Sequence, residues 1–225
     1  MERFGSACVL AGGTGRRMGR LDKLTVELGG ERIVDRIVRI LSPRFDDIIV
    51  VTARPEVFAG LGVRTVPDLV SMRGPLGGLH AALAASRSLW LYLTACDMPW
   101  QSLAWIDMLR ARIERCEAER RARGEEEAVA AVARTGRFLE PFSAFYHRRA
   151  IGFVESALAD GEEGVTSLSL QSVLRKAKIL GVAERERRGI DPQKRLFMSI
   201  NTPEELVKAR AKDSGAGVGI NEEIL

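Results

Sequence analysis

Five apolar residues, Ala7-Cys8-Val9-Leu10-Ala11, run directly into Gly12-Gly13-Thr14-Gly15, then into Arg16 and Arg17 and, a few residues on, Lys23. A short continuous apolar run of this kind reads as a strand covered on both faces. The glycines let the backbone turn tightly and bring its N–H groups close to an anion. Arginine adds a fixed, always-charged fork for phosphate oxygens, and lysine adds a mobile point charge. A buried strand that ends in a cationic glycine loop is a place to hold phosphate. The loop lacks the Gly-Lys-Ser/Thr ending of a Walker loop. It also departs from the dinucleotide fingerprint, because Arg16-Arg17 stands where the helix would start.

The rest of the chain extends that strand into an alternating pattern. Ile33, Val34, Ile37, Val38 and Leu41 fall at helical spacing, and Pro43 stops the helix. Asp47–Val51 and Val63–Val66 read as strands, the second ending at Pro67-Asp68. Gly74-Pro75-Leu76-Gly77-Gly78 reads as a loop that opens a helix through Leu79, Ala82 and Leu83, and Leu89–Cys96 as a strand that stops at Asp97. Strand and helix in alternation predict a doubly wound α/β fold: three layers, with a mainly parallel sheet between helices. Ligands bind such sheets at the carboxyl ends of the strands. The glycine loop, Asp68 and Asp97 all fall there.

Further on, the charge run from Arg110 to Glu127 predicts a long solvated helix plus loop. Ala128–Val132 and Pro141–Tyr146 read as strands, Asp160–Gly164 as a turn, Thr166–Lys178 as an amphipathic helix and Phe197–Ile200 as a last short strand. Thr202 is a natural N-cap with Pro203 at the first helical position. With 225 residues, 46% of them hydrophobic, one large domain over residues 1–212 is expected, followed by a mobile polar tail over residues 213–225.

Composition narrows the functional classes. The formal net charge of +4 is far from that of a dedicated nucleic-acid binder, and suits an enzyme that handles polyanionic small molecules. Cys8, Cys96 and Cys116 lack the spacing of a zinc site; Cys8 and Cys96 read as small buried hydrophobes in a reduced, cytoplasmic setting. No signal-peptide form and no membrane-spanning apolar run is seen. Asp97 follows a strongly apolar strand, where an unpaired carboxylate is costly, so a cation is its simplest partner. Magnesium, which takes one or two carboxylates together with water and substrate phosphates, fits. A second reading makes Asp97 the cap of a helix that starts near Gln101. His80 and His147 are the only histidines, and His80, beside the expected site, reads as a packing or helix-surface residue.

Leu10 to Gly19, Asp22-Lys23, Pro67-Asp68, Gly74-Pro75-Leu76-Gly77-Gly78, Cys96-Asp97-Met98-Pro99 and Ile200-Asn201-Thr202-Pro203-Glu204-Glu205-Leu206 together resemble the molybdenum cofactor guanylyltransferases. The first motif is shared with many sugar-nucleotide and cytidylyl transferases; the later ones narrow the resemblance. It implies a Rossmann-like nucleotidyltransferase fold and transfer of GMP from GTP to molybdopterin, with release of pyrophosphate. By the same resemblance Leu10, Ala11 and Gly12 hold the guanine and ribose side. Gly13, Gly15 and Arg16 complete the nucleotide loop, Lys23 binds phosphate, and Asp68 contacts the nucleotide. The Gly74 to Gly78 segment borders the nucleotide and pterin sites, with Gly78 against the nucleotide, and Asp97 holds Mg2+. Arg17 and Lys23 would neutralise the leaving pyrophosphate. The expected partners are GTP, molybdopterin and proteins that deliver molybdopterin or mature molybdoenzymes, with no nucleic acid or membrane. Many members carry an asparagine after the second strand, where this chain reads Val51-Thr52-Ala53-Arg54. That keeps a cytidylyltransferase of molybdopterin, or an enzyme for another phosphorylated small molecule, as alternatives. A nucleotide-binding protein without turnover is the alternative of another class.

Overall fold

The apolar runs assemble into one seven-stranded sheet. The computed structural model describes residues 4–12, 22–68, 74–124, 128–159 and 169–214. In chain order these form β1 (Phe4–Leu10), β2 (Glu27–Leu28), β3 (Glu31–Arg32), α1 (Ile33–Leu41), β4 (Phe45–Val51), β5 (Arg64–Val66), α2 (Gly74–Ala85) and β6 (Trp90–Ala95). Then follow α3 (Leu103–Arg123), β7 (Ala130–Thr135), β8 (Phe138–His147), α4 (Ala150–Ala159), α5 (Leu170–Lys176), β9 (Ile179–Ala183), α6 (Glu184–Arg187) and α7 (Pro203–Ser214). The sheet order is β5-β4-β1-β6-β8-β7-β9. β1 pairs in parallel with β4 and β6, β4 with β5 and β7 with β9, while β8 runs antiparallel to both of its neighbours. β2 and β3 form a separate ribbon.

Alternation along the strands sends side chains into two cores. Ala7 and Val9 of β1 and Val50 of β4 face Ile33, Ile37 and Leu41 of α1, Trp105 and Leu109 of α3, and Leu206 of α7. Cys8, Leu10, Ile49 and Val51 face Leu76, Leu79 and Leu83 of α2, Val154 of α4 and Val173 of α5. The mainly parallel, three-layer doubly wound architecture expected from the sequence is the one observed. Cys8 and Cys96 are buried free thiols, as expected of small hydrophobes, and burial raises both pKa values, that of Cys96 to about 12.

The structure corrects several local expectations. Gly74 to Gly78 is not a loop before a helix: α2 starts at Gly74, and Leu76, Gly77 and Gly78 are buried in its first turns. Phe197–Ile200 is not a strand. Ile200 is buried in the core, and its N–H donates to the carbonyl of Asp97, in the turn after β6, at 2.8 Å. The expected helix over Thr166–Lys178 is shorter; α5 ends at Lys176, and Ile179–Ala183 forms β9 with alternating burial. Helix α4 had no sequence-based expectation. Its buried Ala150, Val154 and Ala157 are too small a stripe to stand out. The charge run is helical through Arg123. Helix α7 runs to Ser214, beyond the expected boundary at 212, and the Asp160–Gly164 turn and residues 215–225 lie outside the described residues. No helix among the described residues is long and apolar enough to cross a membrane.

Candidate active site

From β1 the chain runs through β4 to β5 on one side, then returns through α2 to place β6 on β1's other side. The strand order reverses at β1, and the crevice for a ligand lies at its carboxyl end. Leu10, Ala11 and Gly12 reach that edge. The Ala11 N–H donates to the Val51 carbonyl at 2.9 Å, and the Cys96 N–H donates to the Leu10 carbonyl at 3.0 Å, so the strand end is clamped from both sides. Gly12 is exposed, with open space where a Cβ would stand. Gly78 lies beneath: a Cβ there would meet the Leu10 Cδ atoms at 3.0 and 3.1 Å. Gly78 therefore lets α2 approach the strand end closely.

Lys23 and Asp97 meet. The Lys23 Nζ donates to Asp97 Oδ2 at 2.9 Å and to Asn201 Oδ1 at 2.7 Å. The side chains of Lys23 and Asp97 keep 24% and 17% exposure, so their charges are partly shielded yet open to a ligand. Within the chain, Asp97 is answered by the Lys23 ammonium. The alternative, Asp97 as a helix cap, is corrected: α3 starts at Leu103, and the Ser102 hydroxyl receives the Trp105 N–H at 3.2 Å.

Asp97 owes its place to a tight turn. The Met98 N–H bonds back to the Ala95 carbonyl at 3.1 Å, while buried Gln101 donates to the Met98 carbonyl and to Thr94 Oγ1, both at 2.9 Å. Tyr92 completes the network by donating to Gln101 Oε1 at 2.9 Å. Such a satisfied buried network holds one conformation. On the opposite side, Glu205 accepts from the N–H groups of Asn201 and Thr202 at 2.6 and 3.2 Å, and the Thr202 hydroxyl caps the Glu205 N–H at 3.2 Å. The cap that starts α7 thus fixes Asn201, whose side-chain amide also donates to Ser199 Oγ at 2.7 Å.

Asp68 stands just past β5, along the same edge and two strands over from β1. Gly13, Gly15, Arg16 and Arg17 lie outside the described residues. His80 turns away to α4, where its Nε2 lies 3.3 Å from Glu155, in keeping with a packing role. Asn201 is the residue that reading site roles from the sequence missed. It was visible only inside the Asn-Thr-Pro-Glu motif, where the neighbouring cap already explains the pattern.

Oxygen donors from Asp97 and Asn201 converge where a positive charge now stands. Among the described residues no cluster of three His, Cys, Asp or Glu could hold a metal by itself. The pair suits a hard cation that draws its remaining ligands from phosphate and water.

Comparison with known proteins identifies the family. Residues 7–178 match the family described as the MobA-like NTP transferase domain. The chain is 34% identical over 203 residues to a probable molybdenum cofactor guanylyltransferase of Peptoclostridium acidaminophilum, covering 90% of this chain and 87% of that one. It is 34% identical over 215 residues to a molybdenum cofactor guanylyltransferase of Syntrophotalea carbinolica, covering 96% and 95%. The crystal structure of molybdopterin-guanine dinucleotide biosynthesis protein A from Archaeoglobus fulgidus shares the fold, with a TM-score of 0.74 at 22% identity over 93% of this chain and 99% of that one. The chain belongs to the MobA-like NTP transferase family, among relatives that are molybdenum cofactor guanylyltransferases.

Proposed function

We propose that this protein transfers GMP from GTP to the terminal phosphate of molybdopterin and releases pyrophosphate. The observation that carries the reading is the meeting of Lys23, Asp97 and Asn201 at the switch-point crevice, beside Leu10–Gly12, in a chain whose curated relatives are named guanylyltransferases. An oxygen of the acceptor phosphate attacks the α-phosphorus of GTP, and the bond to the bridging oxygen of the β-phosphate breaks. The nucleophile is already an anion, so no general base is needed. The work is to position two polyanions and to stabilise the charge on the departing pyrophosphate.

Asp97 and Asn201 are the oxygen donors that would hold magnesium. When bound, magnesium supplies positive charge against the triphosphate oxygens. Lys23, which contacts both oxygen donors, would neutralise the leaving group, with Arg17 in the same role. Leu10, Ala11 and Gly12, at the clamped end of β1, would border the nucleoside, and Asp68 would offer it a carboxylate.

Asp97→Ala tests the metal assignment. With the fold intact by circular dichroism, kcat is expected to fall on the order of a hundredfold to a thousandfold, and the dependence of rate on magnesium concentration to shift upward. An active Asp97→Ala protein with an unchanged magnesium dependence contradicts it.

A further inference from the structure

Arg54 belongs to no part of the site so far, yet it grips the segment that carries Lys23. It leaves the end of β4 along a fixed path: the buried Thr52 N–H bonds to the Val66 carbonyl at 3.0 Å, and the Thr52 hydroxyl receives the Arg54 N–H at 3.0 Å. From there the Arg54 Nη1 donates to Asp22 Oδ2, and its Nε reaches Glu56 Oε1 at 3.4 Å. Asp22 also organises the turn it begins. Its Oδ1 accepts the Leu24 N–H at 3.1 Å, and its carbonyl accepts the Thr25 N–H and hydroxyl at 3.0 and 3.1 Å. Leu24 is buried in the core below. Lys23, between Asp22 and Leu24, is therefore presented by a turn pinned below by an apolar anchor and from the side by Arg54.

We propose that Arg54 is a positioning residue: through Asp22 it sets the Lys23 ammonium at the place where it meets the triphosphate. This rests on the reading of Lys23 as a phosphate ligand. Arg54 and Asp22 are 47% and 37% exposed, so the pair adds little to overall stability. What it supplies is direction. A lysine has four rotatable bonds, and its reach depends on where its backbone is held. The ion pair also lowers the Asp22 pKa and raises that of Arg54, so both stay charged across the neutral range. The clasp then ties the β4 edge of the crevice to its phosphate side.

A double-mutant cycle tests the proposal with the full chain. The proteins are wild type, Arg54→Ala, Lys23→Ala and the double variant, with Arg54→Lys alongside, each measured for affinity toward GTP with magnesium. Arg54→Ala is expected to weaken binding about fivefold in the wild-type background and to change it less than about twofold in the Lys23→Ala background, because neighbours that act through one contact are non-additive. Arg54→Lys, which keeps the charge but loses the fork, should recover part of the loss. Thermal midpoints should stay together throughout. Equal effects in both backgrounds, or no effect in wild type, overturn the proposal. A wild-type chain that binds CTP in place of GTP corrects the nucleotide assignment alone, and the same cycle run with CTP then decides for or against Arg54. A chain that binds neither triphosphate overturns both.

Discussion

Lys23 and Asn201 are separated by 178 residues in sequence and by 2.7 Å in space. That contact shows what a single residue's pattern can and cannot announce. Lys23 and Asp97 were legible because each breaks its surroundings: a cation after a glycine loop, a carboxylate after an apolar strand. Asn201 does not, since an asparagine before Thr-Pro-Glu is ordinary cap chemistry. Gly78 is legible for a different reason and offers a test. Gly78→Ala would gain up to about 1 kcal/mol of helix propensity but press on Leu10 at contacts of 3.0 and 3.1 Å, and overpacking costs about 1–3 kcal/mol. The expected net is a loss of about 1 kcal/mol together with a higher KM for GTP, since the proposed function sets Leu10 beside the nucleoside. Thermal unfolding and initial rates check it; an unchanged KM contradicts the placement of Gly78 under the nucleotide loop.

At the scale of elements, long apolar runs were readable, and so was the short β5, which is closed by Pro67, while β9 and α4 were not. β1, α1, β4 and β6 were visible in outline from their periodicity. β9 was hidden because Ile179-Leu180-Gly181-Val182-Ala183 adjoins a helical pattern, and only pairing with β7 makes it a strand. The β7–β8 hairpin was expected only in part. It carries a register shift between Ala131 and Ala133, and Ser143 adopts a φ of 49°. Its Glu140 is half-buried, and desolvation pushes its pKa from 4.5 to about 7 against the opposing pull of the Phe142 N–H and Arg187. The unfolded chain releases that proton at lower pH, so the folded state binds more protons between the two values. Stability from this group is full below pH 4.5 and is lost as pH rises through about 7. Glu140→Gln should therefore gain on wild type as pH rises from about 5 to about 8, by at most about 3 kcal/mol. Parallel thermal melts at the two pH values check it. A gap that stays constant contradicts the buried-carboxyl account.

At the scale of the whole molecule, the doubly wound sheet puts β1 at the reversal of strand order and gathers Leu10–Gly12, Asp68 and Asp97 on one edge. This much followed from alternation alone. The closure of the chain did not: α7 returns to the first face and ends with Asp213 paired through both oxygens to Arg36 of α1, at 2.9 Å each. The same helix begins beside Asn201, so one element spans from the site to that ion pair. The side chains of the pair keep only 16% and 19% exposure. Asp213→Ala should lower stability by about 1–3 kcal/mol and leave kcat unchanged, as read by chemical denaturation and turnover. A large loss of kcat would mean that α7 couples Asp213 to the site.

The measurement that bears most directly on function is pyrophosphate release with magnesium and each of GTP, CTP, ATP and UTP, with and without molybdopterin. Release with GTP, dependent on molybdopterin, is the predicted result. Release with CTP in its place would keep the chemistry of Lys23, Asp97 and Asn201 and overturn the guanine assignment, while no release from any triphosphate in the presence of molybdopterin would contradict the proposed reaction itself.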